Sequence, residues 1–169
     1  KGRFCMELPI VSRLKRELAE LQYELSHDLP KRLEEARAHG DLRENAEYDA
    51  AKNRQGILRA RIGQMNERLR ELSTYSFARI PRDRISYGSR VKLADVDSGD
   101  ELEYQLVFPE EVDSAAGMVS INAPIGQALM NKMPGDEVTV QTPRGKKTYE
   151  VMEISTLHDR VPAEEPPGG

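Results

Sequence analysis

Apolar residues recur through the first half of the chain at alternating three- and four-residue steps. Val11, Leu14, Leu18, Leu21, Leu25, Leu29, Leu33 and Ala36 make one stripe, and Tyr48, Ala51, Gln55, Leu58, Ile62, Met65, Leu69 and Leu72 make a second. A spacing near 3.5 residues draws a narrow seam along a helix and points to a coiled coil. The stripes also mirror each other about a reversal near residue 43: Ala36 faces Ala51, Leu29 faces Leu58, Leu25 faces Ile62 and Leu18 faces Leu69. The pattern predicts an antiparallel helical hairpin over residues 8–74 with its tip at 40–44. Each arm is then roughly 45 Å long at 1.5 Å per residue. Pro30 lacks an amide hydrogen and predicts a kink or short break, with Asp28 placed to cap the restarted helix. Gly40 suits a helix C-terminus.

The periodicity changes near residue 75. "FARIPRDRISYGS" carries proline and glycine but no helical stripe, which places a linker at 75–82. Short alternating segments then predict strands at 90–95, 101–107, 118–122, 136–142 and 146–155, with "TPRGKK" as the last hairpin turn. "PIGQALMNK" (124–132) predicts a short helix opened by Pro124. Residues 83–157 therefore read as a small domain built on an antiparallel sheet, the whole chain as α+β, and the proline- and acid-rich residues 158–169 as a disordered tail.

Composition narrows the classes. Of 169 residues 32% are charged, and no apolar run approaches the length that spans a bilayer. No signal-peptide pattern opens the chain, so a soluble cytoplasmic protein without a membrane partner is expected. One cysteine, Cys5, excludes an internal disulfide and a cysteine-cluster metal site, and His27, His39 and His158 are too scattered for zinc. The net charge of −4 divides unevenly, +3 over residues 1–80 and −7 over 81–169, which suggests two modules with a polyanion-facing first one. The seam is filled within one chain, so a monomer is expected.

The chemistry concentrates at "AHGDLRENAEYDAAK" (38–52). Asp41 can cap the returning helix, and Glu44 and Glu47 can complement its positive end. That reading employs one acid, or two, of a larger set. Alternatively Asp41 and Glu44, three residues apart across a turn, converge on one hard cation such as magnesium, leaving other ligand positions to a partner. Arg37, one turn before the tip, and Lys52, two turns after it, could then hold a phosphodiester backbone, whereas Arg59 and Arg61 read as solvated helix decoration.

"EARAHGDLRENAEYDAAKNRQG" (35–56) resembles the signature of the Gre-type transcript-cleavage factors of bacterial RNA polymerase, and residues 120–154 resemble that family's C-terminal module. The resemblance implies a coiled coil that enters the polymerase secondary channel when the nascent RNA has slid backwards. It implies that Asp41 and Glu44 help hold the second magnesium ion of the polymerase and the attacking water. Arg37 and Lys52 would face the RNA 3′ segment. The C-terminal module would be FKBP-like and dock at the channel rim through Ala123, Pro124 and Ile125. Hydrolysis would then be the polymerase's own activity, stimulated by this protein. Ala123 stands where many relatives carry serine. A channel regulator without cleavage activity, a prolyl isomerase and a plain coiled-coil adaptor remain alternative readings. Interruption of the arginines by Asn53 and Gln55 predicts a small basic patch and short cleavage products.

Overall fold

The computed structural model describes residues 7–40 and 42–160, with the side chains of 39 and 42–45 outside that description. The chain divides into two compact units at Ala78/Arg79.

In the first unit, α1 (Pro9–Tyr23), a π-helical segment (Glu24–Asp28) and α2 (Leu29–His39) form one arm, and α3 (Leu42–Leu72) forms the other. All sixteen stripe positions are buried or half-buried, including Gln55. Leu29 and Leu58, each 1% exposed, and Ala51 form the centre of the seam, with Leu21, Leu25 and Leu33 packed around them. Burial of this stripe supplies stability that exposed helices of such charged sequence would lack.

The interruption near Pro30 is a π segment rather than a break. Leu29 N–H donates to Glu24 O, an i→i+5 bond, and helical geometry continues through it. The cause lies in the stripe: Leu21, Leu25, Leu29 and Leu33 are spaced by three consecutive four-residue steps. In an α-helix each such step drifts about 40° off the seam. A wider turn takes up that drift and keeps the leucines facing the other arm. Pro30 then falls in the first turn of α2, directly after the π segment, whose wider turn gives its ring room beside the preceding carbonyls. Asp28 is not a cap, because its backbone is helical and its side chain bonds no amide.

The second unit holds β1 (Arg90–Asp95), β2 (Glu101–Val107), β3 (Met118–Ser120), β4 (Glu137–Thr142) and β5 (Gly145–Ser155) in the order β3-β2-β1-β5-β4. The pairings β1–β2, β1–β5 and β4–β5 are antiparallel. β3 joins the edge parallel to β2, so the sheet is mixed. α4 (Pro124–Leu129) sends Leu129 into a core with Ile85, Val91, Leu93, Leu106, Val138, Val140 and Val151. Two boundaries differ from expectation. Ile80, placed in the linker, is 8% exposed and its carbonyl bonds the His158 ring at 2.8 Å. His158–Arg160, placed in the tail, belong to α5 (Leu157–Arg160); residues 161–169 lie outside the described residues. Thr156 and Asp159 close the start of α5, Asp159 accepting from the Thr156 amide at 2.7 Å and from its hydroxyl at 3.0 Å.

Asp95 and Asp159, in this unit, sit below their ordinary pKa, as does the exposed Asp83 beside Arg84. Lys147 Nζ donates to Asp95 at 3.0 Å, followed in effect by the amides of Asp97 and Ser98. The Thr156 amide and then its hydroxyl lower Asp159. A depressed folded-state pKa contributes stability that is present above the unfolded value, about 3.9, and is lost as pH falls through the folded one. Calorimetry of this unit's transition is therefore expected to show a falling Tm below about pH 4, the ordinary carboxylate range. Asp95→Asn is expected to lower Tm at neutral pH and flatten that acid slope. An unchanged slope would remove Asp95 from the account.

Candidate functional site

The arms reverse between His39 and Leu42. Gly40 ends α2 with φ 74°, a left-handed conformation that a glycine adopts without strain. Asp41 lies outside the described residues; Glu44 is in the first turn of α3, and its side chain lies outside them too. The local sequence folds this way because a left-handed residue turns the chain out of one helix while the next helical register, beginning at Leu42, returns along the seam. α3 alone, 31 residues long, carries the reversal about 46 Å from its far end.

Immediately behind the tip the structure brings together two of the expected basic residues and one that sequence reading had treated only as seam. Arg37 Nη2 donates to the Tyr48 hydroxyl at 3.3 Å, and its guanidinium carbon lies 5.5 Å from the ring centroid. Lys52 Nζ lies 5.9 Å from the same centroid, from one turn further along α3. Tyr48 is half-buried at the last seam position, while both cations are exposed. The Arg37 hydrogen bond, then the charges of Lys52 and Arg37, pull the phenol below its ordinary pKa, and Asp49 opposes them. The same hydrogen bond holds Arg37 above its own.

Further down, Arg54 and Glu24 join the arms through two parallel hydrogen bonds, Nε and Nη2 to the two carboxylate oxygens, each 2.8 Å. This fork keeps Glu24 below the usual carboxylate range and neutralises Arg54. An open cleft of about 500 Å³ lies between the arms here, floored by Leu29, Ala36, Ala50 and Ala51. The cleft is open because small side chains, Ala36 and Ala51, face each other across the seam here. Arg59 and Arg61 are exposed on α3.

The expected docking residues sit at the start of α4. Ala123 is the residue before it, extended at φ −70° and ψ 154°, and its side chain makes no capping bond. Pro124 is exposed in the first turn. Ile125 is half-buried and packs against the core, so of the three Pro124 offers the most open surface. Sequence reading missed Tyr48 and the Arg54–Glu24 fork. A phenol four residues before Lys52 was a signal for the first; nothing local marks a pair 30 residues apart.

Among the described residues no helix is long and apolar enough to cross a membrane, and no three His, Cys, Asp or Glu side chains form a metal-holding group. Residues 10–73 match the family described as "Transcription elongation factor, N-terminal". Residues 80–156 match the one described as "Transcription elongation factor, GreA/GreB, C-term". The chain is 42% identical over 144 residues to transcription elongation factor GreA of Desulfotalea psychrophila, covering 85% of this chain and 89% of that protein. It is 42% identical over 144 residues to GreA of Chlorobaculum tepidum, covering 85% and 91%. Among solved structures, GreA factor homolog 1 of Thermus thermophilus is 28% identical, with 86% and 94% covered and a TM-score of 0.40.

Proposed function

This chain belongs to the GreA/GreB family of transcription elongation factors, and from that premise we propose that it stimulates hydrolytic cleavage of backtracked RNA by a bacterial RNA polymerase. The hairpin enters the secondary channel, and the tip acids reach the active site of the polymerase. The observation that carries this reading is the position of "GDLRENAEY" (40–48): the helical reversal lies within it, at the end of paired arms long enough to reach a buried centre. A charged segment serving only as a turn has no need of such an arm.

The donor set at residues 41 and 44 suits magnesium, a hard ion that prefers carboxylate oxygens. Two carboxylates make a partial site, which fits a metal shared with the polymerase and held weakly by this chain alone. When bound there, a second metal ion stabilises charge on the attacking and leaving oxygens of an in-line phosphoryl displacement. Asp41 and Glu44 would hold that ion and orient water. Arg37 and Lys52 would hold the RNA 3′ segment, and the Pro124 surface would rest on the channel rim. The protein contributes ligands and is not a nuclease by itself; it acts as a monomer in the bacterial cytoplasm.

The test is a backtracked elongation complex with labelled RNA and magnesium, with and without this protein. Faster release of short 3′ fragments supports the reading. Binding without any stimulation replaces it with a channel regulator.

A further inference from the structure

We infer that Tyr48 is a positioning residue, holding Arg37 of one arm and Lys52 of the other on one face of the tip as a paired cationic clamp for a phosphodiester backbone. The inference rests on the cleavage-factor reading and names the group that arranges its RNA-facing cations.

Three observations carry it. First, the two cations come from different helices and share one ring, at 5.5 and 5.9 Å from its centroid, with the hydroxyl accepting from Arg37 as well. Two like charges gathered on one side chain repel each other, and an anion placed between them relieves that repulsion. Second, the ring is neutral. Among the described residues no carboxylate lies within ion-pair distance of Arg37 or Lys52, whereas Arg54, lower on the same arm, is committed to Glu24 in a two-bond fork. Among the described residues the tip cations are thus ordered without a paired carboxylate, whereas Arg54 is ordered and paired. Third, Tyr48 is itself fixed. It is half-buried at the seam position nearest the tip and has few rotatable bonds, so it confines longer and more flexible side chains. Pre-ordering of this kind lowers the entropy lost when a phosphate backbone is bound.

The test compares the full chain as wild type, Tyr48→Phe and Tyr48→Leu on a backtracked complex over a range of factor concentrations. Leucine keeps apolar volume at the seam, and helicity by circular dichroism checks the hairpin. Tyr48→Leu is expected to raise the half-saturating concentration about tenfold, with maximal rate and magnesium dependence changed less than about twofold. Tyr48→Phe keeps the ring and loses only the acceptor for Arg37, so a rise of about threefold is expected. In the free protein, the Arg37 δ-methylene and Lys52 ε-methylene protons are expected to be shifted upfield by the ring in wild type and to lose that shift in Tyr48→Leu. Wild-type concentration dependence in Tyr48→Leu overturns the inference. So does a lowered maximal rate with a raised magnesium requirement, which moves Tyr48 to the metal-holding acids. A wild-type protein that stimulates no cleavage refutes the underlying reading instead. The proton shifts then decide the clamp: their presence supports it and their absence overturns it.

Discussion

Replacing Asp41 and Glu44 together with alanine is expected to reduce stimulated cleavage by about 100-fold or more, because loss of even outer groups around a catalytic metal costs 10–100-fold and these would be direct ligands. Binding to the polymerase is expected to survive, since the arms and the Pro124 surface are untouched. The variant should therefore compete with the wild type and inhibit it. Each single substitution leaves one carboxylate, so its deficit is expected to shrink as magnesium rises. The double variant, with neither ligand, should recover least.

These outcomes separate the readings. Full activity in the double variant would make the tip acids simple helix caps and leave the hairpin as an adaptor. Loss of activity together with loss of binding would place the acids in a docking contact. A deficit that magnesium does not touch, in either single variant, would remove the shared-metal account while keeping the residues essential. The clamp formed by Arg37, Tyr48 and Lys52 behaves differently under the same assay, through factor concentration rather than magnesium. The two sets of side chains can thus be told apart without a structure of the complex.

How much was legible in the sequence depended on how local the determinant was. The strands at 90–95 and 101–107 coincide with β1 and β2, because alternating burial leaves a period of two in any half-buried strand. The helical seam was equally open, since burial selects its spacing. The π segment was encoded too, in the 4-4-4 spacing from Leu21 to Leu33, but Pro30 drew attention to the wrong cause. The parallel attachment of β3 was not legible: strand direction is set by how the chain from Val107 to Met118 returns, and three residues carry no directional pattern. α5 was hidden by the composition that follows it, although Thr156 and Asp159 have capping-box spacing. At the tip, Asp41 and Glu44 stood out by charge, whereas Tyr48 was concealed by its second role in the seam. Its polar role depends on Arg37, eleven residues away across the reversal. Residues that serve both packing and chemistry are assigned first to packing, because packing alone accounts for their spacing.

Gly126→Ala is expected to lower the stability of the sheet-containing unit by about 2–3 kcal/mol, the upper range for overpacking. A Cβ at this position would stand 2.0 Å from Ser120 O and 3.0 Å from the Ile121 Cα. Both obstacles are backbone, so no side-chain rotamer change relieves them. Either α4 must lift from the end of β3 or the Ser120–Ile121 peptide must move, and Ile121 N–H is already bonded to Val107 O at 2.9 Å. Lifting α4 would also expose Leu129, which is fully buried in the core. For a unit of this size the loss corresponds to a Tm decrease of roughly 10–20 °C in calorimetry of the full chain. The same displacement moves Ala123 and Pro124, so polymerase affinity should fall even at temperatures where the unit stays folded. Maximal cleavage at saturating factor should be retained, because the tip lies in the other unit. A Gly126→Ala protein with unchanged Tm would mean that α4 sits further from β3 than 2.0 Å allows. Weakened binding at that unchanged Tm would in addition make the start of α4 a contact surface in its own right.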